Sequence, residues 1–90
     1  MNKAQLIDAV ADATDLSKAS AGRAVESVLD IIASSLKGGD AVTLVGFGTF
    51  TTRNRAARAG RNPRTGATIQ IPASTLPVFK PGKALKDAVN

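Results

Sequence analysis

Residues 53–72 read RNRAARAGRNPRTGATIQIP, a run of small, polar and basic residues around a turn-forming cluster. Two extended runs flank the Gly/Asn/Pro/Gly cluster at 60–66, which predicts a long β-hairpin with its tip near Pro63. Most of its side chains are too small or too polar to build a core of their own, and a lone two-stranded ribbon is marginal in water. We therefore expect an arm that is mobile in the free protein.

The charge of the chain is concentrated in its second half. Residues 1–40 carry a net charge of −2 and residues 41–90 carry +7, which gives the overall charge of +5. No Asp or Glu occurs from residue 41 to residue 86, and such a one-sided potential collects phosphate groups, so nucleic acid is the predicted partner. Solvated surface is the alternative interpretation, but an arginine-flanked proline at a hairpin tip has no evident role in a core. The basic residues of this half are Arg53, Arg55, Arg58, Arg61, Arg64, Lys80, Lys83 and Lys86.

Two amphipathic helices are predicted before this basic half. Apolar residues follow a helical period from about residue 3 to residue 13, after an N-cap at Asn2 with Gln5 as its partner. A second apolar stripe runs from Ser17, a good N-cap, to the Gly38-Gly39 pair that ends it. A helix of about 20 residues is roughly 30 Å long, and its apolar surface is too wide for one short helix and a small sheet to cover. We interpret part of it as a subunit interface.

After Asp40 the hydrophobic period changes to two, which predicts β-strands. One strand contains Val42 and Leu44, the glycine turn at 46–48 ends it, and residues 49–52 begin the strand that continues into the hairpin. A further strand over 75–80 is followed by Pro81-Gly82 and a short helix. The predicted class is therefore α+β.

The three aromatic residues and the C-terminal lysines each allow two interpretations. Phe47, Phe50 and Phe79 lie beside the glycine turn and the apolar strands, so we interpret them as core residues rather than as base-stacking platforms. Lys83 and Lys86 fall on one face of the last helix. They either complement the helix dipole or extend the basic surface together with a lysine at position 80.

Ninety residues form one small domain, which buries a modest fraction of its surface and needs an additional source of stability. Because the chain contains no Cys and no His, disulfides and the usual zinc sites are excluded, and oligomerisation remains. No apolar run approaches the roughly 20 residues that span a bilayer, and the N-terminus lacks the apolar stretch of a signal peptide. We expect an intracellular protein without a membrane partner.

No catalytic site, cofactor or metal ion is predicted. The only acidic residue after Asp40 is Asp87, so the basic half offers neither paired carboxylates nor a metal cluster. A nuclease would lack its ligands where the nucleic acid lies, which makes an enzyme the weakest class.

Three blocks of the sequence resemble the bacterial histone-like HU proteins, which belong to the HU and integration host factor superfamily. The blocks are GFGTF at 46–50, RAGRNP at 58–63 with Thr65-Gly66, and FKPGKALKDAVN at 79–90. The resemblance covers essentially the whole chain. The arm motif is shared with integration host factor, whereas the opening residues 1–7 and the ending are similar to HU.

The resemblance implies an intertwined dimer, in which a helical dimerisation base carries a small antiparallel sheet that extends into β-ribbon arms. Residues 1–52 and 73–90 would form the body of a single domain, and 53–72 the DNA-binding arm. Two arms would embrace double-stranded DNA through the minor groove, with Pro63 wedged between base pairs. The implied DNA-binding residues are Lys3, Arg53, Arg55, Arg58, Arg61, Asn62, Pro63, Arg64, Lys80, Lys83 and Lys86.

The function implied by the resemblance is that of a non-sequence-specific architectural protein, which bends and compacts DNA in the bacterial nucleoid within the cytoplasm. Separating stacked base pairs costs a few kcal/mol per step, so bent, nicked or otherwise distorted duplex should be preferred. Sequence selectivity should be weak because phosphate contacts carry no base code.

Two alternatives for nucleic-acid binding stay open. A sequence-selective architectural protein such as integration host factor differs in how strongly it reads the deformability of DNA. An RNA-binding module is compatible with phosphate contacts, although the arm has no aromatic platform for single strands. The sequence also leaves open the bend angle and the choice between a homodimer and a heterodimer with a paralogue.

Overall fold

The computed structural model describes residues 1–90 and has an α+β fold, which confirms the predicted class. The chain separates into two compact units, Met1–Ser35 and Leu36–Asn90. The predicted division into a body and an arm is a division by function and stays a prediction. The elements are α1 (Lys3–Thr14), α2 (Lys18–Lys37), β1 (Val42–Leu44), β2 (Gly48–Arg55), β3 (Arg58–Arg61), β4 (Thr68–Ile71), β5 (Ser74–Pro81) and α3 (Lys83–Ala88).

The first two helices begin and end where their capping residues predict. The Asn2 side chain accepts the backbone N–H of Gln5 at 2.9 Å, and the Gln5 side chain accepts the backbone N–H of Asn2 at 2.9 Å, which completes a capping box. The Ser17 hydroxyl accepts the backbone N–H of Ser20 at 3.1 Å at the start of α2. α2 ends at Lys37, directly before the glycine pair. None of the three helices has both the length and the hydrophobicity needed to cross a membrane.

The hydrophobic core of the isolated chain is very small. Ala11, Ala21 and Val25 are its only buried hydrophobic residues, and no large side chain is fully buried. All three lie on the helices of the first unit. So little burial supplies a small fraction of the hydrophobic stabilisation that a folded domain needs.

Strands β1, β2 and β5 form an antiparallel sheet in that order in the second unit. Phe50 lies opposite Phe79 with 4.8 Å between the ring centroids, and the Phe47 and Phe79 centroids are 5.4 Å apart. The three rings thus pack against one another, as expected of core residues. Phe47 and Phe79 nevertheless remain 44% and 37% exposed, so a single chain covers this cluster only in part.

The hairpin continues from β2 and β5 through β3 and β4 in one register. Arg55 lies opposite Ser74 and Arg58 lies opposite Ile71, so no residue is gained or lost on either strand between the two ladders. The pairing is nevertheless interrupted at residues 56–57, where the sequence had predicted a continuous strand, and at residues 72–73, where the predicted return strand ended at Pro72. Pro72 has no N–H to donate to a ladder, which accounts for a break at this point.

The base of the hairpin is fixed by close backbone contacts. A Cβ at Gly48 would lie 2.6 Å from the carbonyl oxygen of Lys80 and 2.6 Å from the Phe79 ring, so only glycine fits between the strands. The N–H of Gly82 donates to the carbonyl oxygen of Phe47 at 2.8 Å, which ties the start of α3 to the glycine turn. These contacts therefore fix the backbone positions of β2 and β5 at the base of the hairpin.

Candidate nucleic-acid interface

The strand register assigns the predicted DNA-binding arginines to the two faces of the hairpin. Arg53 and Arg55 are two residues apart on β2 and share a face, and the pairing of β5 with β2 places Lys80 on that same face. Arg58 and Arg61 are three residues apart on β3 and therefore lie on opposite faces. The structure thus places three of the predicted basic residues on one face of the sheet, with Lys80 opposite Thr49 and so displaced along β2 from the two arginines, and distributes two over both faces of the distal ribbon.

The arginines of the hairpin present their charge without internal neutralisation. All five are exposed, and neither of the two ion pairs in the structure involves them. A guanidinium offers several N–H donors in a planar fork that matches phosphate and other anionic acceptors. A ribbon with these properties is suited to a polyanion.

The chain contains no group of three or more His, Cys, Asp or Glu that could hold a metal ion.

The tip of the hairpin is a hydrogen-bonded turn built around Asn62. The backbone N–H of Asn62 donates to the carbonyl oxygen of Ala67 at 2.8 Å, and the N–H of Gly66 donates to the carbonyl oxygen of Asn62 at 2.8 Å. The Asn62 side-chain oxygen accepts the N–H of Arg64 at 2.9 Å. Gly66 has φ of 71°, a left-handed conformation that favours glycine. These contacts hold Pro63 in an exposed position at the end of the ribbon.

The remaining predicted lysines lie on helices. Lys3 is the first residue of α1, in the unit Met1–Ser35, and forms an ion pair with Glu26 of α2. Lys83 and Lys86 are exposed and lie one turn apart on α3, with Lys86 in its last turn. Lys86 therefore suits both predicted roles, compensation of the helix dipole and contact with a phosphate. Lys83 is the first residue of α3, where a positive charge opposes the dipole, so its position suits contact with a phosphate only.

Sequence reasoning missed an apolar face on the distal ribbon. Ile69 and Ile71 are two residues apart on β4 and lie over Gly60 of β3: a Cβ at this glycine would be 3.5 Å from Ile69 and 3.0 Å from Ile71. Ile69 is 46% exposed. The available signal was a pair of isoleucines at alternate positions in an otherwise polar strand.

Comparisons with known proteins agree on the family of the chain. The family model described as "Bacterial DNA-binding protein" matches residues 1–90. The chain is 62% identical to DNA-binding protein HU 1 of Bacillus subtilis over 89 residues, which are 99% of this chain and 97% of the relative. It is 59% identical to DNA-binding protein HU-beta of Escherichia coli K12 over 90 residues, with full coverage of both.

Solved structures give the same answer for the fold. An Anabaena HU–DNA cocrystal structure matches with a TM-score of 0.89 and 44% identity, covering 99% of this chain and 97% of the other. HU from Thermotoga maritima matches with a TM-score of 0.71 and 32% identity over the full length of both chains. Members of the family are DNA-binding proteins and not enzymes, which confirms the prediction that the chain is not a catalyst. The chain belongs to the bacterial DNA-binding proteins of the HU family, the histone-like architectural proteins.

Proposed function

We propose that the chain binds the minor groove of double-stranded DNA through its arm, residues 53–72, and bends the duplex without strong sequence preference. The observation that carries this proposal is the tip, where an exposed proline stands in a hydrogen-bonded turn between Arg61 and Arg64. Proline is a rigid apolar group without an N–H, so it can stack on a base without leaving a donor unsatisfied. The Anabaena relative crystallised with DNA supports duplex DNA as the partner.

The basic residues contribute the attraction that positions the arm. Arginine suits the narrow and strongly negative minor groove, where one guanidinium bridges several acceptors. Exposed and unpaired arginines occur on both faces of the ribbon, so the arm can face groove walls on either side. The proposed contacts are Lys3, Arg53, Arg55, Arg58, Arg61, Asn62, Pro63, Arg64, Lys80, Lys83 and Lys86.

The wedge also determines which DNA is preferred. Entry of Pro63 between base pairs requires unstacking, which costs a few kcal/mol per step in intact duplex and less where the stack is already interrupted. Bent, nicked or otherwise distorted duplex therefore binds more tightly than straight duplex. Phosphate contacts carry no base code and the minor groove distinguishes mainly A·T from G·C, so sequence preference stays weak.

The working form of the protein in this proposal is a dimer that presents two arms. An open groove of about 250 Å³ runs between α1 and α2 and is lined wholly by apolar side chains. Val28 and Leu29 in this groove are 54% and 46% exposed, and Ile31 of the same helix is 63% exposed. Because the chain has only three buried hydrophobic residues, it would gain stability by covering this surface with a second copy, either of itself or of a paralogue. The other groove residues are Leu6, Val10, Ala24 and Val25.

We place the protein in the cytoplasm, on the DNA of the bacterial nucleoid. The support is membership of a bacterial DNA-binding family, together with the excess of positive charge that binds chromosomal phosphate. RNA is the competing ligand, because phosphate contacts do not identify the sugar.

The test compares four ligands of equal length and composition: linear duplex DNA, the same duplex with a central nick, a cruciform, and double-stranded RNA. Affinities are measured at about 50 and about 200 mM salt, since counterion release makes them strongly salt-dependent. We expect the nicked and cruciform DNAs to bind more tightly than linear duplex at both salt concentrations, and RNA to bind most weakly. Equal affinity for nicked and intact DNA would contradict the wedge, and tightest binding to RNA would contradict the assignment of the partner.

A further inference from the structure

The turn at the hairpin tip, residues 62–67, has no core to hold its shape. None of its residues is buried. Its backbone N–H groups are instead paired locally: four of the five donate to an acceptor within the same six residues. The conformation of the tip is therefore set by its own hydrogen bonds.

One of these bonds ends on the side chain of Thr65. Its hydroxyl oxygen accepts the backbone N–H of Ala67 at 3.2 Å, in a side-chain turn that encloses Gly66. Glycine populates more backbone conformations than any other residue, and Gly66 is held in the left-handed one, at φ of 71°. The Thr65 hydroxyl thus restricts the most flexible residue of the tip.

Gly66 connects this restraint to the proline. Its N–H donates to the carbonyl oxygen of Asn62 at 2.8 Å, and this bond spans Pro63. Ala67 closes the same loop, because its carbonyl oxygen accepts the N–H of Asn62 at 2.8 Å. Loss of the Thr65 bond would therefore loosen both backbone bonds that close the chain around the proline.

We propose that Thr65 is a positioning residue for the wedge: its hydroxyl keeps Pro63 in the orientation that enters a base step and does not itself contact DNA. The proposal rests on the proposed function and adds a residue outside the proposed contact set. A proline separates stacked base pairs only where its ring meets the step between them. A tip that samples other conformations forms bent complexes in proportion to the fraction that is competent.

Thr65→Val tests the proposal, because valine keeps the β-branched shape and lacks the hydroxyl. One such hydrogen bond biases a turn about fivefold, so the ratio of bent to unbent complexes on intact duplex should fall about fivefold. On nicked duplex the affinity should change less than about twofold, since the stack is already interrupted. The measurements are single-molecule energy transfer on end-labelled DNA and fluorescence anisotropy.

Two variants serve as controls. Thr65→Ser keeps the hydroxyl and should restore wild-type bending. Thr68→Val removes a hydroxyl from an exposed residue of β4 outside the turn, and its ratio of bent to unbent complexes should stay within about twofold of wild type. In the free protein, the amide proton of Ala67 should exchange with water faster in Thr65→Val than in wild type, as measured by NMR.

A double-mutant cycle with Pro63→Ala separates positioning from direct contact. In the Pro63→Ala background, Thr65→Val should have no further effect on DNA affinity, because no wedge is left to orient. An equal loss with and without the proline would mean that the hydroxyl contacts DNA, and would overturn the inference. Wild-type bending by Thr65→Val, beside a Pro63→Ala that no longer bends DNA, would overturn it as well and leave the proposed function intact. If Pro63→Ala bent intact duplex as strongly as wild type, the wedge of the proposed function would itself be wrong.

Discussion

In the proposed function, Pro63 at the hairpin tip acts on DNA, and Asn62 holds the proline in place. Pro63 is exposed, whereas the Asn62 side chain is used within the turn, where its oxygen accepts the N–H of Arg64 at 2.9 Å. We therefore expect Asn62 to act on DNA mainly through the position of the proline. A hydrogen bond of this kind contributes about 1 kcal/mol, enough to bias the turn strongly toward one conformation.

Replacing Pro63 with alanine should abolish most of the bend and little of the attraction. Pro63→Ala removes the stacking surface and keeps all five arginines. The variant should therefore still associate with DNA, but it lacks the group that separates stacked base pairs. The effect should be largest on intact duplex and smaller on nicked DNA. The measurement is the end-to-end distance of labelled DNA in saturated complexes, by energy transfer.

Arg61→Ala is the control for the proline variant, because it removes charge beside the tip and leaves the wedge in place. It should weaken binding on intact and nicked DNA alike and preserve the bend at saturation. A proline variant that bends intact duplex as strongly as wild type would show that Pro63 is only a turn residue.

Two glycines should respond to alanine in opposite directions. Gly48→Ala should lower the free energy of unfolding by about 1 to 3 kcal/mol, because the new Cβ would lie 2.6 Å from the Lys80 carbonyl oxygen, which is backbone and cannot move aside. Gly22→Ala should raise it by about 0.5 to 1 kcal/mol, because the added Cβ would be 3.8 Å from Ile7 and alanine favours the helix. Urea unfolding of both variants gives the two values, and a tolerated Gly48→Ala would contradict the close approach of β2 and β5.

The elements of this chain differ in how far the sequence predicts them. The helix boundaries follow from local signals, the capping box at Asn2 and the Ser17 cap, because a cap acts within one turn. The ribbon depends on pairing between distant residues, so the interruption at residues 56–57 and the assignment of arginines to faces required the register, whereas the end of the return strand at Pro72 was predicted. The apolar face over Gly60 escaped prediction for the same reason: its members lie on two strands.

The arginine arm as an element should set the salt dependence of binding. If two arms and the flanking lysines neutralise roughly 6 to 10 phosphates, affinity should fall by about 10³ to 10⁵ between about 50 and about 200 mM salt. Arg58→Ala or Arg61→Ala should flatten that slope by about one charge per arm and weaken random sequences alike. Fluorescence anisotropy over a salt series provides the slope. A slope unchanged by both substitutions would place the contact surface elsewhere on the molecule.

The molecule as a whole joins a mildly acidic helical half to a strongly basic half, and both leave apolar surface uncovered. In the unit Met1–Ser35 the groove between α1 and α2 is open, and in the unit Leu36–Asn90 the rings of Phe47 and Phe79 are partly exposed. Because both units of a chain with so small a core expose apolar surface, we expect folding and association to be coupled.

The stability of the protein should therefore depend on its concentration. For a dimer of this size, each tenfold increase in protein concentration should raise the thermal midpoint by about 4 °C, because mass action contributes about 1.4 kcal/mol per decade.

Val28→Lys should lower the midpoint by well over this amount, because it places a charge in the apolar groove. Ser27→Lys is the control, since it adds the same charge at an exposed neighbouring position outside the groove. Calorimetry over two decades of concentration and sedimentation equilibrium provide the measurements. A stable, folded monomer of about 9 kDa at micromolar concentration would contradict the coupling, because the three buried hydrophobic residues would then suffice to hold the chain folded.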